Sequence, residues 1–416
     1  MTPPVFTGLF LFFLVSSLVA RVWLSLRHVR HVGRHRDTVP ARFADAVSLS
    51  AHQKAADYTL TKTRFSLAVL AFNTLVLLGF TLFGGLDFLS VQIHAAMGGG
   101  MVYQMVLVLA FCLISGLLDA PWDYYRQFVI EERFGFNKMT RRLFVTDKLK
   151  GMLLGLLLVP LLWVTLLLML HARAGWWFYA WLVWNAFQLL LLVLYPTWIA
   201  PLFNRFSPLQ DPALAARIKQ LLERTGFTAK GLFVMDGSRR SAHGNAYFTG
   251  FGSAKRIVFF DTLIDRLKPE EVEAVLAHEL GHFRLRHIIK RMTVMALLSL
   301  GFLALLGYLK EQTWFYLGLG VTPLADSDAQ ALLLFSLVLP VFSFFFSPLA
   351  SLIARRHEFE ADAFAAQYAS ADDLVSALVR MYEDNAATLT PDPLRSAFYD
   401  SHPPAATRIA RLLGSA

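Results

Sequence analysis

His278-Glu279-Leu280-Gly281-His282 stands a few residues ahead of the apolar run 292–309, and the two together decide the fold. Histidines four apart lie on one face of a helix, so both imidazoles can reach one metal ion. The glutamate between them is then placed to take a proton from the attacking water, as in zinc hydrolases. A hydrolytic metal site at the edge of a membrane span is the expectation from which the rest follows.

Of the 416 residues, 56% are hydrophobic and 17% charged, with positive mean hydropathy. A soluble domain is nearer half apolar and about a quarter charged. The excess lies in long runs, which indicates a polytopic membrane protein. The net charge of +9 is accounted for by basic loops on one side of the membrane, so no nucleic-acid partner is expected. The single cysteine, Cys112, excludes an intramolecular disulfide or a cysteine metal cage, and reads as a small hydrophobe within a span. Met1-Thr2-Pro3-Pro4 puts no basic residue before the first run, which also lacks a small-residue cleavage site. It is expected to be a retained span.

Seven spans are predicted, near 5–26, 66–86, 101–120, 152–171, 176–200, 292–309 and 331–353, each close to the roughly 20 residues that cross the hydrocarbon core. The first connection carries Arg27, Arg30, Arg34, Arg36, Arg42, Lys54, Lys62 and Arg64, and the third Arg126, Arg133, Lys138, Arg141, Arg142, Lys148 and Lys150. The loop Asp87 to Gly100 has neither lysine nor arginine, and the other outer loops offer only Arg173 and Lys310. The N-terminus is therefore expected outside and the C-terminus in the cytosol. The chain divides into spans one to five over 1–202, a cytosolic catalytic region over 203–291, spans six and seven over 292–353, and a cytosolic C-terminal region over 354–416. Asn73, Asn185 and Gln188 lie within spans, where they line an aqueous cavity or bond between helices.

The segment Ile199 to Leu209 is too rich in proline for a continuous helix. A helix is predicted over Pro212 to Thr225, then strands at 231–235, 245–248 and 256–260. Pro269 opens the motif helix, with Glu270 and Glu271 at its positive end and a stripe of Val272, Val275, Leu276 and Leu280. Arg284, Arg286, Lys290 and Arg291 follow at the membrane edge.

Two histidines and a base leave a third ligand to find. A metzincin would carry glycine at 285 and histidine at 288, where this chain has Leu285 and Ile288. On a continuous helix His287 lies about 140° round from His282, so it reads as an interfacial side chain instead. The remaining source is a carboxylate from another helix, as in His2Glu sites. In Arg355-Arg356-His357-Glu358-Phe359-Glu360-Ala361-Asp362, Glu358 and Asp362 share a face, so one can bind zinc while the other orients a ligand histidine; paired with the upstream motif, Glu358 is the better reading as ligand. Glu360 points to the wrong face. His402, stiffened by Pro403 and Pro404, is a candidate donor to the developing oxyanion. Asn245 lies on an expected edge strand that could take a peptide by strand addition.

Phe128-Val-Ile-Glu-Glu-Arg-Phe-Gly-Phe-Asn-Lys138, Ala200-Pro-Leu-Phe-Asn-Arg-Phe206, Ser241-Ala-His-Gly-Asn-Ala-Tyr-Phe-Thr-Gly-Phe-Gly252, the motif itself, Glu358-x-x-Ala-Asp362 and Ser401-His-Pro403 run in one order across the chain. In this the chain resembles the type 1 CAAX prenyl proteases, integral-membrane zinc metalloproteases of the a-factor converting type. The resemblance implies a mainly α protein of seven transmembrane helices enclosing a water-filled chamber, with a gluzincin-like cytosolic domain containing a small β-sheet. It implies one zinc ion on His278, His282 and Glu358, with Glu279 as general base and then acid. It also implies that His402 and Asn245 bind the substrate backbone or the oxyanion, Asp362 supports a ligand, and Arg408 supports the site. Family substrates are prenylated C-terminal C-a-a-X peptides, cut after the lipidated cysteine to release the aaX tripeptide.

The expected function is thus a zinc-dependent membrane endopeptidase of CAAX type. The alternatives are an HtpX-like quality-control protease and, remotely, a seven-span receptor or transporter with an incidental motif. The chain ends at Leu413-Gly-Ser-Ala416 without a dilysine signal, and its composition is rich in alanine, leucine and arginine. That suggests a bacterial cytoplasmic membrane with the site facing the cytosol, or the endoplasmic reticulum if the protein is eukaryotic.

Overall fold

The computed structural model describes residues 1–171, 175–229, 231–244, 246–249 and 256–414. Among these described residues, seven helices are long and apolar enough to cross a membrane: Pro3–Arg34, Leu49–Phe80, Met101–Glu131, Arg141–His171, Trp176–Phe203, His287–Leu309 and Asp328–Tyr368. Each predicted run lies largely within one of them, but several helices extend well past the apolar part. The second begins at Leu49, where the Ser48 hydroxyl accepts from the Ala51 N–H (3.2 Å), and ends at Phe80 before a turn through Gly84. The loop expected from Asp87 to Gly100 is mostly helix, Gly85–Met97. The seventh does not stop at 353. After one tight turn at Phe344–Phe346 it runs on as Ser347–Tyr368, so the helix that carries Glu358 continues the last span. Helix irregularities fall near prolines, at Pro121, Pro160, Pro196 and Pro340, where an i to i−4 bond is lost.

One end of the bundle is tightly packed by Phe10, Leu86, Tyr103, Leu107, Phe315 and Leu334. Away from it a cavity opens between the first, second, third and seventh spans, where Ser17, Arg21, Asn73, Thr74, Ser115 and Asp119 add polar groups to an apolar wall. Asn73 therefore sits at a cavity. The Asn185 amide instead donates to the Trp181 carbonyl of its own helix (2.8 Å).

The extramembrane part holds a four-stranded sheet of β1 (Phe206–Pro208), β2 (Leu232–Met235), β3 (Ala246–Thr249) and β4 (Arg256–Phe260), in the order β1-β2-β4-β3. β2 and β4 are parallel, with Leu232 opposite Ile257; β3 is antiparallel to β4, with Ala246 opposite Phe259. β1 was not expected. Its proline is tolerated because β1 is an edge strand, paired among the described residues with β2 alone. The Pro212–Thr225 helix has the predicted bounds, with the Asp211 carboxylate accepting from the Ala213 and Leu214 N–H groups. Leu214, Ile218 and Leu221 pack it against Val272, Leu276 and Leu280 of the motif helix and Ala365 and Leu374 beyond, in one core behind the site.

Candidate active site

The motif helix spans Pro269–Arg284. Proline is preorganised for its first turn, and the Lys268 N–H donates to Glu271 Oε2 (2.8 Å), so the start is well defined. The predicted stripe is buried. The helix lies against Ser347–Tyr368 so closely that a Cβ on Gly281 would come 3.0 Å from Ala361 Cα and 3.1 Å from Phe364 Cβ. Glycine in the motif thus sets the separation of the two helices beside Glu358 and Asp362. Gly281→Ala is expected to push them apart by a few tenths of an ångström. About tenfold weaker metal binding at near-normal helix content, read by metal titration and circular dichroism, would be the result.

At this junction three donors converge. The Nε2 atoms of His278 and His282 are 3.2 Å apart. Glu358 Oε2 lies 3.5 Å from His278 Nε2, and its Oε1 3.3 Å from His282 Nε2. Ligands about 2.0–2.2 Å from a tetrahedral ion are roughly 3.3–3.5 Å from one another, so the triangle fits such an ion without rearrangement. Glu358 is buried, and its Oε2 has no hydrogen-bond partner among the described residues. The nearest guanidinium nitrogen, Arg408 Nη1, is 3.8 Å from that oxygen, too far to hydrogen-bond it, so a bound cation would satisfy it.

Behind the triangle, Asp362 Oδ1 lies 2.8 Å from His278 Nδ1, which turns Nε2 toward the other donors. Arg408, buried on the helix Ala405–Leu412, clamps Asp362 with two bonds (Nε to Oδ2 2.9 Å, Nη2 to Oδ1 2.5 Å). Burial alone would lower the His278 pKa, yet hydrogen bonds to Asp362 and Glu358 hold it up at about 9, so the pocket favours positive charge. Burial pushes the Glu279 carboxyl above its usual range, with Glu358 adding to the effect and the neighbouring histidines opposing it.

His402 Nε2 is 3.4 Å from Glu358 Oε1, and its side chain is 64% exposed, so it borders the donor triangle from the open side. Sequence reading missed what holds it there. Arg355, one turn before Glu358, donates to the carbonyls of Ser396, Ala397 and Asp400 (3.2, 3.2 and 3.0 Å), anchoring the chain just before His402. Asn245 lies outside the described residues, but the segment leading to it is well supported. His243 stacks on Phe136 with ring centroids 4.4 Å apart, and its Nε2 is 3.7 Å from Glu131, which accepts from the Tyr58 hydroxyl (2.7 Å). The 128–138 block thus buttresses the approach to β3, an edge strand as expected. Asn204, in the 200–206 block, accepts from Arg240 (3.0 Å), which also pairs with Asp147 (2.9 Å).

One reading requires correction. His287 is not an interfacial side chain: it is 4% exposed, with Nδ1 3.0 Å from His282 Nδ1. The 140° argument assumed a continuous helix, whereas Arg286 adopts a left-handed backbone (φ 57°) and a new helix starts at His287.

Residues 28–205 match the CAAX prenyl protease N-terminal region of five membrane helices, and residues 208–416 match peptidase family M48. CAAX prenyl protease 1 of Saccharomyces cerevisiae is 32% identical, covering 90% of this chain and 88% of that protein. The CAAX prenyl protease 1 homolog of Arabidopsis thaliana is 34% identical over 97% and 96%. The crystal structure of S. mikatae Ste24p superposes with a TM-score of 0.92 at 29% identity, covering 98% and 99% of the two chains. Fold and site together define a multi-pass integral-membrane metallopeptidase. The chain belongs to peptidase family M48, in its CAAX prenyl protease 1 branch.

Proposed function

We propose that this protein holds one zinc ion on His278, His282 and Glu358 and removes the aaX tripeptide from proteins ending in a prenylated C-a-a-X sequence. The donor triangle with Glu279 beside it is the observation that carries the reading. Two nitrogens and one carboxylate, with a fourth position left for water or substrate, suit catalytic zinc. When bound, zinc supplies a Lewis acid that polarises the scissile carbonyl and makes water a stronger acid. Glu279 takes the proton of the attacking water and returns it to the leaving amine; its raised proton affinity suits both tasks. His402, at the open side of the triangle, donates to the carbonyl oxygen as negative charge develops. Asn245 and the edge of β3 hold the substrate backbone as an added strand. Asp362 and Arg408 orient His278.

The basic first and third connections support an active site facing the cytosol, formed by residues 203–291 and 354–416 beside the two membrane segments 1–202 and 292–353. A membrane setting suits a substrate whose lipidated cysteine arrives from the bilayer. The test uses the zinc-loaded full chain in liposomes with a farnesylated C-a-a-X peptide and its unprenylated counterpart. Only the farnesylated peptide is expected to release its tripeptide at an appreciable rate. Cleavage of both at comparable rates would favour a quality-control role on membrane proteins.

A further inference from the structure

A second group of potential ligands lies directly behind the first. His287, His357 and Glu360 bring ligand atoms within 4.8 Å of one another, close enough to hold a metal ion. The hydrogen-bond geometry assigns them another task. We infer that His287 and Glu360 form a relay that fixes the orientation of the ligand His282, with His287 as a positioning residue and no second metal bound.

A neutral histidine that ligates through Nε2 carries its remaining proton on Nδ1. His282 directs Nε2 at the donor triangle, so its Nδ1 must donate. The atom it meets, 3.0 Å away, is His287 Nδ1, which must therefore be a bare acceptor. The proton of a neutral His287 then sits on Nε2, and that N–H points at Glu360 Oε2, 3.0 Å away. With its acceptor nitrogen occupied by His282 and its other nitrogen protonated, His287 has no lone pair left for a metal. Glu360 is fixed in turn by Arg356, whose Nε donates to Oε1 (3.0 Å). Among the described residues His357 makes no hydrogen bond; its ring stacks on His287 at 4.1 Å and 10° and holds the plane.

The arrangement parallels the one behind the other ligand. His278 Nδ1 is held by Asp362 and Arg408; His282 Nδ1 is held by His287, Glu360 and Arg356. Each ligand histidine thus leads to a carboxylate that is itself anchored by an arginine. The left-handed turn at Arg286 is what lets His287 reach back to His282. Glu360, on the wrong face of its helix to touch the metal, is on the right face for His287.

This assignment rests on zinc at His278, His282 and Glu358, and the two can fail separately. The experiment measures zinc stoichiometry and dissociation constant by competition with a chromophoric chelator, using the full chain in detergent, together with the melting temperature of the zinc-free form. His282→Ala tests the ligand set, and zinc retained there overturns that set. With the ligand set intact, His287→Ala is expected to weaken zinc 10- to 100-fold, the usual cost of losing such a partner, without a matching drop in the zinc-free melting temperature. Glu360→Gln, which keeps an oxygen acceptor, is expected to change affinity less than about threefold, and Glu360→Leu to fall toward His287→Ala. His357→Phe keeps the stack and is expected to leave one tightly bound zinc. Two zinc ions per wild-type chain, with one lost in His357→Phe, would overturn the relay in favour of a second metal centre. So would unchanged zinc affinity in both His287→Ala and Glu360→Leu, which would reduce the cluster to packing.

Discussion

Glu279→Gln is expected to retain one zinc per chain while peptide cleavage falls by about 10²- to 10⁴-fold, the range associated with removing a general base. The expectation follows from position. Glu279 neighbours the proposed ligands on the motif helix but is not among the three side chains whose donor atoms form the triangle. Glutamine has the same shape and leaves His278, His282 and Glu358 untouched, so metal content and melting temperature should match wild type. It cannot accept the proton of the attacking water or return one to the leaving amine. Zinc analysis beside a turnover assay separates the two roles. Loss of zinc would make Glu279 a structural partner of the metal, and undiminished turnover would remove it from the mechanism.

The second large effect is expected at Asp362, which faces His278 on one side and Arg408 on the other, all three buried. Asp362→Ala strands the buried Arg408 guanidinium, and uncompensated buried charges of this kind cost about 3–5 kcal/mol. The nearest remaining anion is Glu358, whose Oε2 is already 3.8 Å from Arg408 Nη1. The freed guanidinium would move toward that carboxylate and compete with the metal for it, while His278 loses its orienting partner. A lower melting temperature and zinc binding weakened 10- to 100-fold are expected together. Adding Arg408→Met should recover much of the stability without restoring affinity, since the stranded charge is gone but His278 is still unheld. Recovery of both would mean that Asp362 acts only by neutralising Arg408.

What could be read from the sequence was local. Apolar runs of span length, a proline-started helix and histidines four apart each depend on near neighbours, and each has its counterpart in the structure. The Glu358–Asp362 pair was legible for the same reason, because i, i+4 spacing puts both on one face toward the motif helix. Its physical link to the membrane was not. Nothing in the residues announced that the last span continues without a loop into that helix.

The readings that went astray share a cause. His287 was placed by extending an ideal helix through Arg286, a residue whose left-handed backbone carries no glycine to signal it. Arg355 drew no reading from the sequence, yet it binds three carbonyls some forty residues later in the chain. β1 was hidden because Pro208 argues against a strand everywhere except at an edge. For Arg355 and β1 the deciding partner is distant in sequence, and for His287 it is a backbone break at the neighbouring Arg286; local propensity signals none of the three.

The central claim is that two helices assemble a zinc peptidase acting on a lipidated C-terminus, and one measurement tests it most directly. Zinc-loaded wild-type protein in liposomes is incubated with a farnesylated C-a-a-X peptide, and the products are weighed by mass spectrometry. The account predicts one cut on the carboxyl side of the farnesylated cysteine, with the intact tripeptide released. A peptide left whole by protein carrying its full zinc, or cut only at other bonds, would contradict it.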